Sequence, residues 1–390
     1  MPAPNPSRRS FLASSAALAA ALPLAATPAL AAPTPPTYTN PLATEAADPF
    51  VLRAQDGLYY LYASGGAEGP TDTTAYPAFV SPDLVNWTSI GPVYHHDPAS
   101  SWGISAWWAP EVFYYRGLYH MVYSANWRHN PTHEAENFRI GVAVSDSPRG
   151  PFRNLYEAPI FDPGYPIIDA DLLFDDDGRL YLYYSRCCYK HPVPSEIADW
   201  ARARGWYQEI EESWIYGVEL KPDLSGTIGE PVLLLRPPVS FDQWHEAWEN
   251  RSLLSHEVNR RWTEGPCSFK HSGRYYLMYS ANSVFGPNYA LGYATSAHPL
   301  GPFQKAENNP VAEPNTARGG NVTTTAHNCV IASPDGQELY CIYGGRTTTR
   351  GSNERILFLT RITIHPNGIL EIEPPDTNLP HPYPSGARSS

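Results

Sequence analysis

Residues 169–184 read Asp169-Ala170-Asp171-Leu172-Leu173-Phe174-Asp175-Asp176-Asp177-Gly178-Arg179-Leu180-Tyr181-Leu182-Tyr183-Tyr184. An acidic start, an apolar run, an Asp-Gly turn and an aromatic run predict one β-hairpin. The turn supplies the positive-φ position, and Leu and Tyr suit a buried pleated surface. Four other segments carry the same pattern. Nine residues before the turn glycines Gly57, Gly117, Gly178, Gly273 and Gly336 stand Asp48, Trp108, Asp169, Glu264 and His327. Each glycine leads into an aromatic-rich run, such as Leu58-Tyr59-Tyr60-Leu61-Tyr62 or Arg274-Tyr275-Tyr276-Leu277-Met278-Tyr279.

The five ruled positions are separated by 60, 61, 95 and 63 residues. Small sheets repeated in this way predict an all-β, five-bladed β-propeller over residues 38–373, in which each blade buries its faces against the next. Equivalent residues at the start of each innermost strand then converge on the axis. Here they are Asp, Trp, Asp, Glu and His. Three clustered carboxylates cost desolvation and mutual repulsion, so the pattern predicts a polar site at the channel mouth rather than packing.

The intervening sequence adds detail. Gly141–Phe152 and Leu291–Phe303 match closely and mark the third strand and following turn of two blades. Within the 95-residue interval, Glu196–Glu212 has helical character. Residues 237–263, with Trp244, His245, Trp248, Glu249, His256 and Glu257, form a polar and aromatic passage that either shapes a cleft or packs outside it. Residues 1–31, with Arg8-Arg9 ahead of an Ala/Leu run and Ala29-Leu30-Ala31, read as a twin-arginine-like signal peptide. Residues 32–37 read as a Pro-rich linker and 374–390 as a loosely packed Pro-rich tail.

A net charge of −12 over 390 residues disfavours nucleic acid and an anionic membrane surface as partners. The 26 Tyr and 11 Trp supply both strand filler and faces on which sugars stack. Five cysteines are too few for a disulfide scaffold. Export, a periplasmic or extracellular location and a monomer with no membrane attachment after signal removal are expected.

Carboxylates at separate blade starts suit glycosidic hydrolysis, in which one group activates water and another protonates the leaving oxygen. Trp108 is expected to wall the sugar site. Glu111, three residues on and thus on the opposite face of a regular strand, is read as an acceptor between blades rather than a catalyst.

The ordered set Ala47-Asp48-Pro49, Trp108-Ala109-Pro110-Glu111, Ile168-Asp169-Ala170-Asp171 and Glu264-Gly265-Pro266 resembles glycoside hydrolase family 43. The resemblance implies inverting enzymes acting on arabinose- and xylose-containing polysaccharides. It makes Asp48 the general base, Glu264 the general acid and Asp169 the residue that tunes and orients the acid. Ala170 replaces the usual Pro and leaves Asp171 as a rival carboxylate, but the nine-residue ruler selects Asp169. The resemblance also sets His327 beside a channel water or structural calcium, against the simpler reading of a histidine satisfied by hydrogen bonds, and Arg346 against the terminal sugar. No cofactor is required. The implied activity is an exo-acting α-L-arabinofuranosidase on plant cell-wall arabinan or arabinoxylan fragments. A β-xylosidase or galactan-directed glycosidase and a non-catalytic carbohydrate-binding propeller are the alternatives.

Overall fold

The computed structural model describes residues 36–65, 74–97, 99–130, 136–188, 196–205, 211–239, 247–254, 260–348 and 355–387. The signal peptide, linker residues 32–35, and Trp244, His245, His256 and Glu257 lie outside them.

Five four-stranded antiparallel blades follow one another along the chain. Their innermost strands are Phe50–Arg53, Trp108–Tyr115, Ile167–Phe174, Arg260–His271 and Val322–Ala332. The second strands are Tyr59–Tyr62, Leu118–Asn126, Leu180–Cys188, Arg274–Ala281 and Leu339–Thr347. These second strands are the aromatic runs, and burial on both faces explains why they do not alternate with polar residues. Tyr59 and Leu61 pack towards blade five, while Tyr60 and Tyr62 pack towards blade two. Leu182 likewise meets blade two and Tyr181 and Tyr183 meet blade four. The hydrophobic core is thus distributed between neighbouring blades, one cluster to each contact.

The ring closes through the start of the chain. Leu42 N–H donates to Leu357 O at 2.8 Å, and Leu357 N–H donates to Thr44 O at 3.0 Å. The Asn40 side chain both donates to Leu359 O and accepts from Leu359 N–H, each at 2.9 Å. The stretch leading to Asp48 is therefore sewn onto the third strand of blade five before it enters blade one. Blades three and four are further joined by parallel pairing of Glu211–Ser213 with Arg260–Trp262.

The ends of two segments differ from expectation, and an open reading narrows. The C-terminal stretch is tied down rather than loose: His381–Pro382 pairs with Thr37–Tyr38, and Ser385 N–H donates to Glu338 at 2.9 Å. The passage after residue 237 is drawn inward over its described part. Trp248 is buried against Tyr279, with ring centroids 5.6 Å apart, and a Cβ on Gly292 would lie 2.5 Å from the Trp248 ring. Gly141 seats Trp102 in blade two in the same way, which accounts for the glycine shared by the two matching segments. The helical character seen in sequence becomes a helix over Glu196–Ala203, but Glu211 and Glu212 already belong to the next strand. Cys187, Cys267, Cys329 and Cys341 are buried free thiols.

Candidate active site

The turn type of each hairpin decides which residue reaches the axis. In blades two and four the turns hold two residues, both with positive φ: Arg116 and Gly117, Ser272 and Gly273. That is the hairpin turn whose twist matches the strands. Blades one and three use a longer turn, closed in blade three by Asp175 N–H to Arg179 O and Gly178 N–H to Asp175 O, both 2.9 Å. A nine-residue ruler therefore falls one residue early in blades two and four. The backbone marks the true equivalents through positive φ at Asp48 (48°), Ala109 (43°), Asp169 (57°), Gly265 (56°) and His327 (57°). Such angles are uncommon for non-glycine residues and collect at sites where the surroundings impose them.

A serine ladder imposes them here. Ala109 N–H donates to Ser64 Oγ (2.8 Å), Asp169 N–H to Ser124 Oγ (3.0 Å), Gly265 N–H to Ser185 Oγ (3.2 Å) and His327 N–H to Ser280 Oγ (2.8 Å). Each serine follows the aromatic run of one blade and holds the first turn of the next. In blades two to five the ladder register shifts at the same place, as a β-bulge requires. The bulge lets Trp108 and Glu264, one residue before the left-handed position, face the axis as well.

These turns converge on a cavity of about 330 Å³ lined by Asp48, Trp108, Asp169, Glu264, His327 and Arg346, among others. All six site residues read from sequence thus meet in one place. The structure adds Arg355, Tyr289 and Trp262. Arg355 grips both oxygens of Asp48, with Nη2 to Oδ2 at 2.9 Å. Asp48 also accepts from Ser64 Oγ at 2.5 Å and faces His327 Nδ1 at 2.9 Å. Burial would push the Asp48 carboxyl up, but the Arg355 guanidinium and His327 hold it well below the usual carboxylate range. Burial would lower His327, and Asp48 overrides it to bring the imidazole up to about 9.

Asp169 behaves in the opposite sense. Burial, helped by the neighbouring carboxylates of Glu264 and Asp48, prevails over the lowering effect of His327 and raises it to about 7. Its Oδ2 accepts from Gly265 N–H at 3.1 Å and Ser185 Oγ at 3.3 Å, so it pins the peptide that follows Glu264. The Glu264 carboxylate is fixed at both oxygens, by Tyr289 OH to Oε1 and Trp262 Nε1–H to Oε2, each at 2.6 Å.

Arg346 lines the cavity, and its guanidinium donates to Val284 O at 2.5 Å. Asp171 lies buried one step below and accepts from Ser268 N–H at 2.9 Å. Its carboxyl meets that of Glu111, and burial raises Asp171 to about 6 and Glu111 well above the carboxylate range. The bulge at Ala109 reverses strand parity, which brings Glu111 to the axis instead of the opposite face.

Among the described residues no three His, Cys, Asp or Glu side chains are arranged to hold a metal ion. His327 turns Nδ1 to Asp48 at 2.9 Å.

A ring of blades carrying one carboxylate held ionised and another gripped by neutral donors, in a cavity of sugar size, is the frame of an enzyme that hydrolyses glycosidic bonds. The chain belongs to the glycosyl hydrolases family 43, which it matches over residues 38–370. A β-D-galactofuranosidase of Aspergillus niger is 27% identical over 317 residues, covering 77% of this chain and 74% of that protein. An extracellular exo-α-(1→5)-L-arabinofuranosidase of Streptomyces chartreusis is 26% identical over 347 residues, covering 87% and 92%. The crystal structure of a thermostable family-43 glycoside hydrolase superposes with a TM-score of 0.74 at 32% identity, covering 91% of this chain and all of that one. No helix among the described residues is long and apolar enough to cross a membrane.

The ladder had a readable signal. Tyr123-Ser124, Tyr184-Ser185 and Tyr279-Ser280 end three aromatic runs, with Tyr62-Ala63-Ser64 a near match. Arg355 had none, because it stands just before the strand Ile356–Ile364 and belongs to no repeated motif.

Proposed function

We propose that the protein is an exported, inverting, exo-acting α-L-arabinofuranosidase on arabinan or arabinoxylan fragments. The observation that carries this reading is the unequal treatment of two carboxylates in one small cavity. Asp48 is held as a carboxylate by Arg355 and His327 and serves as the base that draws a proton from water. Glu264 is the acid. Trp262 Nε1–H can only donate, which keeps Oε2 an acceptor and leaves Oε1, shared with the Tyr289 hydroxyl, to carry the proton for the departing oxygen. Asp169, through Gly265 N–H, positions the acid. Single displacement requires base and acid about 6.5–9.5 Å apart so that water can enter between them.

The choice of sugar rests on ring chemistry. α-L-Arabinofuranose and β-D-galactofuranose share the configuration of their ring carbons and differ only in the exocyclic chain. The names of the Streptomyces and Aspergillus relatives therefore point to one furanose ring. A cavity of about 330 Å³ is at the small end for ligand sites, which supports removal of a terminal residue over binding along a polymer. A β-D-galactofuranosidase is the second reading, favoured by the Aspergillus relative.

The test is turnover of aryl α-L-arabinofuranoside, β-D-xyloside, β-D-galactofuranoside and β-D-galactopyranoside, each beside its oligosaccharide, with the anomer of the first product read by NMR. Arabinose released first as the inverted anomer is the expected result. Preferential release of xylose or galactose, or a retained anomer, refutes the corresponding part of the proposal.

A further inference from the structure

Phe285 is 69% exposed, more than any other large apolar side chain among the described residues, and it stands on the rim of the cavity. It is not a loose tip. Val284 O accepts from Arg346 at 2.5 Å, and Ser283 N–H donates to Ser252 Oγ at 3.0 Å. Asn282, fully buried, donates to Trp248 O and Asn288 O at 2.9 and 3.0 Å. The segment is thus anchored on both sides of an apolar ring that faces water.

The ring belongs to the wall that carries the acid. The Arg260 guanidinium lies 5.8 Å from the Phe285 centroid and 5.0 Å from that of Trp262, and Trp262 holds Glu264. Arg260 Nε pairs with Glu211 at 2.6 Å, so the stack is close to neutral. Asp48 and its partners come from blades one and five. In a single displacement the leaving group departs on the acid's side, away from the attacking water.

We propose that Phe285, backed by Arg260, is the platform on which the sugar ring of the leaving group stacks. The ligand is a neutral glycosyl residue presenting a C–H face to the aromatic ring; the balanced Arg260–Glu211 pair offers no net charge to select a uronic acid. The platform rests on the assignment of Glu264 as the acid.

The experiment compares methyl α-L-arabinofuranoside, whose leaving group has no ring, with an α-1,5-arabino-oligosaccharide. The quantity read is the ratio of kcat/KM for the oligosaccharide to kcat/KM for the methyl glycoside. Phe285→Ala is expected to lower that ratio by about tenfold, and Phe285→Trp to keep it within about threefold of wild type. An unchanged ratio in Phe285→Ala overturns the platform, whether both substrates slow together or neither does. Wild-type protein that releases no arabinose from either substrate overturns the functional reading itself, and the platform with it.

Discussion

Replacing Arg355 with Gln tests what keeps the base ionised. Arg355 holds both oxygens of a buried Asp48, with one contact at 2.9 Å. Unit charges about 4 Å apart at an effective dielectric constant of about 20 interact by about 4 kcal/mol, or about 3 pH units at about 1.4 kcal/mol each. His327 stays beside Asp48 and recovers part of this, so a rise of about 1–3 units in the Asp48 pKa is expected. The sign follows from its state. Asp48 is depressed in the folded protein and must be ionised to act, so activity is present above its pKa and lost as pH falls through it. In Arg355→Gln the acid limb of kcat/KM should therefore move up by about 1–3 units. The assay is kcat/KM on methyl α-L-arabinofuranoside from pH 3 to 8, with a melting curve at each pH to confirm folded protein. Arg355→Lys, which keeps the charge and loses the fork, should leave the limb within about one unit of wild type. A folded Arg355→Gln protein with an unmoved acid limb would refute the reasoning, since the limb would then report a group other than Asp48.

Four further outcomes follow from the same geometry. Asp169 is raised to about 7 in the folded state, so it opposes folding increasingly as pH rises from about 4 to 7 and by a constant amount above that. Asp169→Asn should accordingly gain about 2–4 kcal/mol over wild type at pH 8 and little at pH 4 while losing most activity; denaturant titrations showing a pH-independent difference would count against it. Glu264→Gln should lose most turnover on methyl glycosides and recover on an aryl glycoside with a good leaving group, whereas Asp48→Asn should not recover; equal losses on both substrates would reverse that division of labour. Gly265→Ala places a Cβ 3.2 Å from the His327 ring at φ +56°, so a cost of about 1–2 kcal/mol in stability and a shifted His327 NMR signal are expected. Glu212→Ala removes the fully buried carboxylate that pairs with the fully buried Arg261 guanidinium, and should cost about 3–5 kcal/mol by urea denaturation.

The serine ladder explains how strained residues persist at the axis. Asp48, Asp169 and His327 carry φ values of 48°, 57° and 57°, each costing about 1–3 kcal/mol in isolation. Hydrogen bonds from neighbouring blades hold the backbone of Asp169 and His327, and Arg355 holds the side chain of Asp48. Positioning of the site is therefore a property of the ring and not of any one blade.

The five blades and the repeat residues that meet at the axis are legible along the chain. Hairpin turns and runs buried on both faces are local signals, repeated often enough at Gly57, Gly117, Gly178, Gly273 and Gly336 to define a period. The sequence also carried the two carboxylates and Asp169, because charged residues at a repeat position have no packing role. Register to the single residue is set by the folded hairpins. Whether a turn holds two residues or more sets Trp108 against Ala109 and Glu264 against Gly265, and the bulges then turn Glu111 to the axis. Only the closed ring likewise brought Arg355 of blade five to Asp48 of blade one, and only the folding of blade four brought Phe285 to Arg260 on the acid's wall. Those contacts join residues 307 and 25 positions apart, and their strength depends on burial and on the neighbouring charges, which no local pattern along the chain encodes.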